Sequence, residues 1–95
     1  MPRIIWSGPA VADLSNIRQW LIDEADKPTA LRMLRKIRAQ SIQLATFPSV
    51  GTLLDQSQRK LRVRGTPYVL LYDLDHGEVS ILRVRHAHED WRPPE

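Results

Sequence analysis

The residues whose types permit chemistry fall into two basic groups and a polar tail. Lys60, Arg62 and Arg64 precede one apolar run, Arg83, Arg85 and His86 close another, and His88, Glu89, Asp90 and Trp91 follow. Metal-free cleavage of RNA needs a base for the 2′-hydroxyl, cations for the charge that builds at phosphorus, and an acid for the leaving oxygen. Lys60, Arg62, Arg83 and His86 cover that inventory, because an imidazole titrates near neutral pH. Residues two apart on a strand share a face, so Arg83 goes with Arg85 and Arg62 with Arg64. The same residues also have a structural reading: His86 can cap a strand end, and Trp91 can close the core near the chain end. His86 and His88 form an H-x-H pair, but the chain has no cysteine and no third histidine beside them, so no metal site is expected. His76 reads as a solvated turn residue. Ser7, Ser41 and Ser80 stand in no nucleophile arrangement, there is no glycine-rich phosphate loop, and no cofactor is expected.

These groups must be positioned by the stretch from Leu61 to Trp91, which reads as three strands. Val63, Val69 to Leu74 and Val79 to Val84 are rich in β-branched, aromatic and aliphatic residues that suit a pleated, half-buried surface. Gly65-Thr66-Pro67 breaks the first pair of runs and Asp73 to Gly77 the second, with Gly77 free to take positive φ. Such short links predict antiparallel hairpins.

Upstream, Arg3 to Ser7 predicts a short strand that must join the same sheet. Ser7-Gly8-Pro9 opens a helix, with Ser7 as cap and proline in the first turn, and Val11, Leu14, Ile17 and Leu21 form its apolar stripe. Asp26-Lys27-Pro28 ends that helix and starts a second, over Pro28 to Thr46. Its inner stripe is Leu31, Leu34, Ile37, Ser41, Leu44 and Ala45. The short break predicts an antiparallel helical hairpin. Ser49 to Gln58 reads as a loop. The order is β-α-α-β-β-β in one domain over residues 1–95, and the class is α+β: a helical hairpin packed on a small antiparallel sheet.

The totals exclude several classes. In 95 residues with 42% hydrophobic content there is room for one core, and no run approaches the roughly 20 apolar residues of a membrane span. The N-terminus lacks the apolar segment of a signal peptide, which predicts a cytoplasmic protein. Lys and Arg number 14 against 11 Asp and Glu, and they cluster at Arg32, Arg35, Lys36 and Arg38, at Arg59 to Arg64, and at Arg83 and Arg85. Such patches suit an anionic partner, nucleic acid or an acidic protein segment, and equally a solvated surface.

An ordered set of motifs then covers nearly the whole chain. It comprises Ala12-Asp13-Leu14…Ile17, Phe47-Pro48…Gly51, Leu61-Arg62-Val63, Tyr68-Val69-Leu70-Leu71-Tyr72, and Ile81-Leu82-Arg83-Val84-Arg85-His86 followed by Asp90-Trp91. The set resembles the ParE/RelE superfamily of small bacterial toxins of type II toxin–antitoxin pairs, and its ending is similar to the ParE branch. The resemblance implies a bacterial toxin silenced by an acidic antitoxin in a hetero-oligomer. For the ParE branch it implies poisoning of DNA gyrase without catalysis, and for the RelE branch cleavage of messenger RNA on the ribosome. Nuclease members usually carry arginine after the first tyrosine of the central strand, where this chain has Val69, and often a terminal tyrosine, where this chain has Glu89, Asp90 and Trp91. Lys60 and Arg62 do match basic positions of that branch. A degenerate toxin that only binds antitoxin is a further alternative.

The resemblance assigns target contact to Arg83, Arg85, His86 and Trp91, and antitoxin contact to Arg32, Arg35, Arg38, Tyr68 and Tyr72, the two tyrosines otherwise being a packed pair. In the nuclease alternative Lys60, Arg62, Arg83 and His86 form the active site.

Overall fold

The computed structural model describes residues 2–87. Arg3–Trp6 forms β1, Gly8–Glu24 α1, Lys27–Gln43 α2, Thr52–Asp55 β2, Gln58–Arg62 β3, Tyr68–Asp75 β4 and Glu78–His86 β5. Local chemistry sets most of these bounds. The Ser7 hydroxyl accepts from the Ala10 N–H at 3.1 Å and starts α1, with Pro9 in the first turn where no amide partner is needed. Asp26 repeats the device for α2, accepting from the Thr29 N–H at 2.7 Å ahead of Pro28. The β4–β5 hairpin closes on His76 and Gly77, at φ 49° and 75°, so both central turn residues are left-handed as a two-residue hairpin requires.

The five strands lie in the order β1-β5-β4-β3-β2. The α+β class and the helical hairpin are as the sequence predicts, and the sheet differs in two respects. It is mixed rather than wholly antiparallel, because β1 runs parallel to β5, Ile4 beside Val79 and Trp6 beside Ile81. The chain between β1 and its neighbour is the rest of the molecule, so no short turn forces an antiparallel pairing. Within the expected loop, Thr52–Asp55 forms a fifth strand at the free edge, paired with β3 through Thr52–Lys60 and Leu53–Arg59. All four of its residues are exposed, so it lacks the in–out alternation by which a strand announces itself.

The core lies between the helices and one face of the sheet. Ala10 and Leu21 of α1 and Ala30 and Ile37 of α2 meet Leu70, Tyr72, Ile81 and Val84. The inner stripe of α2 is Ala30, Leu34, Ile37, Ser41 and Leu44, with Leu31 exposed instead; on α1 it is Ala10 that is buried and Val11 that faces out. The Ser41 hydroxyl is satisfied by donating to the Arg38 carbonyl at 2.7 Å.

Tyr72 fastens the α2–β2 connection to this core. Its ring is fully buried, its hydroxyl donates to the Pro48 carbonyl at 2.8 Å, and it accepts from the Gly51 N–H at 2.9 Å. A Cβ on Gly51 would sit 2.6 Å from that hydroxyl and 2.8 Å from the Lys60 carbonyl, so only glycine lets the loop come this close. Arg59 adds bonds from Nη1 to the Ser49 and Gly51 carbonyls. Burial pushes the Tyr72 phenol pKa up, outweighing the Gly51 amide and the Arg59 charge, which favour its ionised form. Tyr72→Phe should therefore cost about 1–3 kcal/mol in urea unfolding, since the Gly51 amide and Pro48 carbonyl lose their partner. A variant as stable as the parent would contradict this latch.

Candidate functional site

The link between α1 and β5 is built on one carboxylate. Asp13 Oδ2 accepts from Arg83 Nε at 2.8 Å and from the Val84 N–H at 2.9 Å, and Oδ1 accepts from Arg83 Nη2 at 2.8 Å. The two-point fit is what a planar guanidinium offers a carboxylate and an ammonium does not. The site arises because β1 ends at Trp6 while β5 runs on to His86, leaving the later part of β5 without a strand neighbour on that side among the described residues. There the ladder with β4 also slips: Leu71 faces Arg83 and Tyr72 faces Ile81, so Leu82 is an extra, bulged residue. The Ser7 hydroxyl donates to the Leu82 carbonyl at 2.8 Å, and Asp13 takes the Val84 amide. The first two turns of α1 thus complete the hydrogen bonding of the bulge. Burial by itself would raise the Asp13 pKa, but the bonds from Arg83 and Val84 and the charges of Arg83 and Arg85 prevail and hold it below its ordinary value.

Three concavities of the described surface bear on the expected site residues. On the helix side an apolar cleft of about 560 Å³ is floored by Trp6, Val11, Leu14 and Leu34, with Arg18 and Arg38 among its lining. A recess of about 300 Å³ is lined by Asn16, Ile17, Trp20, Tyr68 and His86, where the Tyr68 and His86 rings meet edge-on with centroids 5.7 Å apart. Trp20, 58% exposed, overhangs it. A cleft of about 440 Å³ is lined by Thr52, Lys60, Arg62, Val69 and Ala87 among others.

These positions sort the expected site residues. Arg62 and Arg85 flank Val69 in register across β3, β4 and β5, and Lys60 and Arg83 flank Leu71 two rungs along, on the same face. The four cations are thus brought to one region, as strand alternation predicts. Arg83, however, spends its guanidinium on Asp13, so its first role is structural. His86 forms the last rung of β5 opposite Tyr68 rather than following the strand. Tyr72 is corrected outright: a fully buried ring has no surface to offer an antitoxin, and its hydroxyl serves the loop. Tyr68 is also buried, and it lines the recess it shares with His86. Arg32, Arg35 and Arg38 are exposed on α2 and form no ion pair among the described residues, and Arg38 alone lines the helix-side cleft. His88 and Trp91 lie outside the described residues. Among the described residues no cluster of His, Asp and Glu could hold a metal, and no helix is long and apolar enough to cross a membrane.

Sequence reading missed Asp13 as a partner of Arg83, because the two are 70 positions apart, and missed the cleft residues Trp6 and Leu34, which stand on different elements.

The fold and its surfaces define a small α+β module with a basic sheet region and an apolar helix-side cleft. The family model described as the ParE toxin of type II toxin–antitoxin systems matches residues 4–91. The chain belongs to this family of toxins. It is 36% identical over 87 residues to toxin RelE2 of Caulobacter vibrioides, covering 92% of this chain and 97% of that one. It is 32% identical over 90 residues to the putative toxin Y4kP of Sinorhizobium fredii, covering 94% and 92%. Among solved structures, the chromosomal ParDE system of P. aeruginosa superposes with TM-score 0.80 at 22% identity, covering 90% of this chain and 96% of that one. The RelBE2 toxin–antitoxin complex of Mycobacterium tuberculosis superposes with TM-score 0.67 at 29% identity, covering 90% and 99%. Names of both branches thus occur among the relatives.

Because Asp13 is held ionised in the fold, its contribution to stability is complete above its ordinary pKa of 3.8 and is lost as pH falls through the lower folded value. Asp13→Asn should lower stability at neutral pH by about 2–3 kcal/mol and flatten the decline below pH 4. An unchanged acid limb in chemical unfolding from pH 2 to 7 would contradict the clamp.

Proposed function

We propose that this toxin acts by protein contact on DNA gyrase and is silenced by an acidic antitoxin. The observation that carries the reading is Val69. In toxins that cut RNA and resemble this chain, the residue after the first tyrosine of the central strand is usually an arginine. Here Val69 follows Tyr68 and stands between Arg62 and Arg85, only 7% exposed. A buried valine stabilises no phosphorane charge, and it splits the row of cations at its centre. Arg83, the next cation along, is bonded to Asp13.

The antitoxin reading rests on the helix-side cleft. Its apolar floor suits the apolar face of an amphipathic helix, and Arg18 and Arg38 suit acidic residues beside that face. The named ParDE and RelBE2 neighbours are toxin–antitoxin systems, which accords with such a partner.

Messenger RNA cleavage is the second reading. It is favoured by Lys60 and Arg62 together in the cleft beside Val69, and by the RelE2 name of the Caulobacter relative. The two readings part at those cations. In the gyrase reading, Lys60→Ala arrests growth within about threefold of the parent on induction in bacteria, with DNA-break signalling and intact transcripts. In the nuclease reading it loses toxicity by about 10²-fold or more, the scale of one lost electrostatic donor, and the parent cuts transcripts within codons.

A further inference from the structure

Five of the large apolar side chains that the fold leaves exposed fall within 13 residues: Ile42, Phe47, Val50, Leu53 and Leu54. They run from the end of α2 through the loop into β2. Scattered exposed apolar residues are ordinary, but here Phe47 and Val50 share one notch, and Leu53 and Leu54, on opposite faces of β2, stand at the sheet edge.

This strip is also rigidly mounted. The loop that carries Phe47 and Val50 is bonded at Pro48 and Gly51 to the buried Tyr72 hydroxyl, and at Ser49 and Gly51 to Arg59. The strand that carries Leu53 and Leu54 ends the sheet, so among the described residues its outer row of backbone groups has no strand beside it. Ordering a loop costs backbone entropy, and here that cost presents apolar groups to water rather than burying them. Between the end of α2 and β3, a notch of about 170 Å³ joins Phe47, Val50 and Leu61 to Arg62 and Arg64, with no acidic residue among the described residues that line it.

We propose that this strip is the surface by which the toxin grips its protein target, and that it takes an extended, acidic segment that lies along β2 and places one large apolar side chain in the notch. The notch chemistry sets the acidic character, with carboxylates opposite Arg62 and Arg64. The open edge sets the extended form, since strand addition satisfies both backbones. A prefabricated surface suits a folded target, whereas a segment that folds on binding adapts to what it meets. The β2 end of the strip is also remote from the helix-side cleft: Trp6 ends β1 at one sheet edge and Leu53 lies at the other, four strand spacings or about 19 Å apart, although Ile42 at the α2 end stands one turn from Arg38. The inference rests on the reading that the toxin acts by contact with gyrase.

The test uses purified full-length toxin and purified bacterial gyrase, measuring binding directly for the parent, for Phe47→Asp with Leu53→Glu, and for Val11→Asp in the helix-side cleft. Phe47, Leu53 and Val11 are each more than half exposed, so the variants should keep the parent melting temperature. The expected result is a loss of gyrase affinity of at least 30-fold for the strip variant and of less than threefold for Val11→Asp. Equal binding by parent and strip variant overturns this inference alone, whereas no binding by the parent overturns the gyrase reading and this surface with it. Two further outcomes also overturn it. In one, the strip variant keeps gyrase but loses the co-encoded antitoxin, which assigns the strip to the antitoxin. In the other, it keeps gyrase but changes the monomer–dimer balance of the toxin in sedimentation, which assigns the strip to a second copy.

Discussion

The Asp13 carboxylate is the interaction on which the rest of the structure depends. β5 is longer than the strand beside it, and its bulge at Leu82 turns backbone groups toward a side where no strand remains. A buried amide or carbonyl without a partner costs on the order of 1–3 kcal/mol. Asp13 and Ser7 meet that requirement from α1, one by accepting from Val84, the other by donating to Leu82. The same two residues fix where α1 sits, because Ser7 is its cap and Asp13 lies on its second turn. Helix placement, the shape of the bulge and the direction of Arg83 are therefore one arrangement. The apolar cleft between Trp6, Leu14 and Leu34 exists because α1 is held there.

Tyr72 plays the matching part at the other side of the sheet. Its hydroxyl lies inside the core yet serves the α2–β2 connection, so an element that is mostly exposed inherits the rigidity of the interior. In the proposed reading the two fastenings divide the molecule functionally. One shapes a cleft suited to an amphipathic antitoxin helix, and the other displays an apolar strip along an open edge. Between them stand the basic residues flanking Val69. The interruption of that row, rather than the number of cations, is what separates a contact-acting toxin from a nuclease in this account.

What could be read from the sequence was whatever local chemistry determines. Ser7 and Asp26 each combine a capping side chain with a proline two residues on, and Gly77 supplies a left-handed turn residue, so the helix starts and the last hairpin were visible without any tertiary knowledge. Strand β2 was not, because four residues exposed on both faces carry no periodicity. The parallel pairing of β1 was hidden for another reason: a short N-terminal strand holds no record of which edge it will join. The spacing of Tyr68 and Tyr72 gave a shared face but not which face the helices cover, and that difference turned an expected antitoxin contact into a core hydroxyl. The ordered motifs pointed to the toxin family all the same, since Asp13, Gly51, Arg83 and the strand residues between them are the parts that hold the fold together.

The most direct test of the account is the reaction of the purified toxin with gyrase and supercoiled plasmid, run beside translating ribosomes programmed with messenger RNA. The account predicts that plasmid DNA accumulates in the gyrase-linked, cleaved form in proportion to toxin, while the messenger stays whole. Messenger cut within codons on the ribosome, with gyrase turning over at its normal rate, would contradict it.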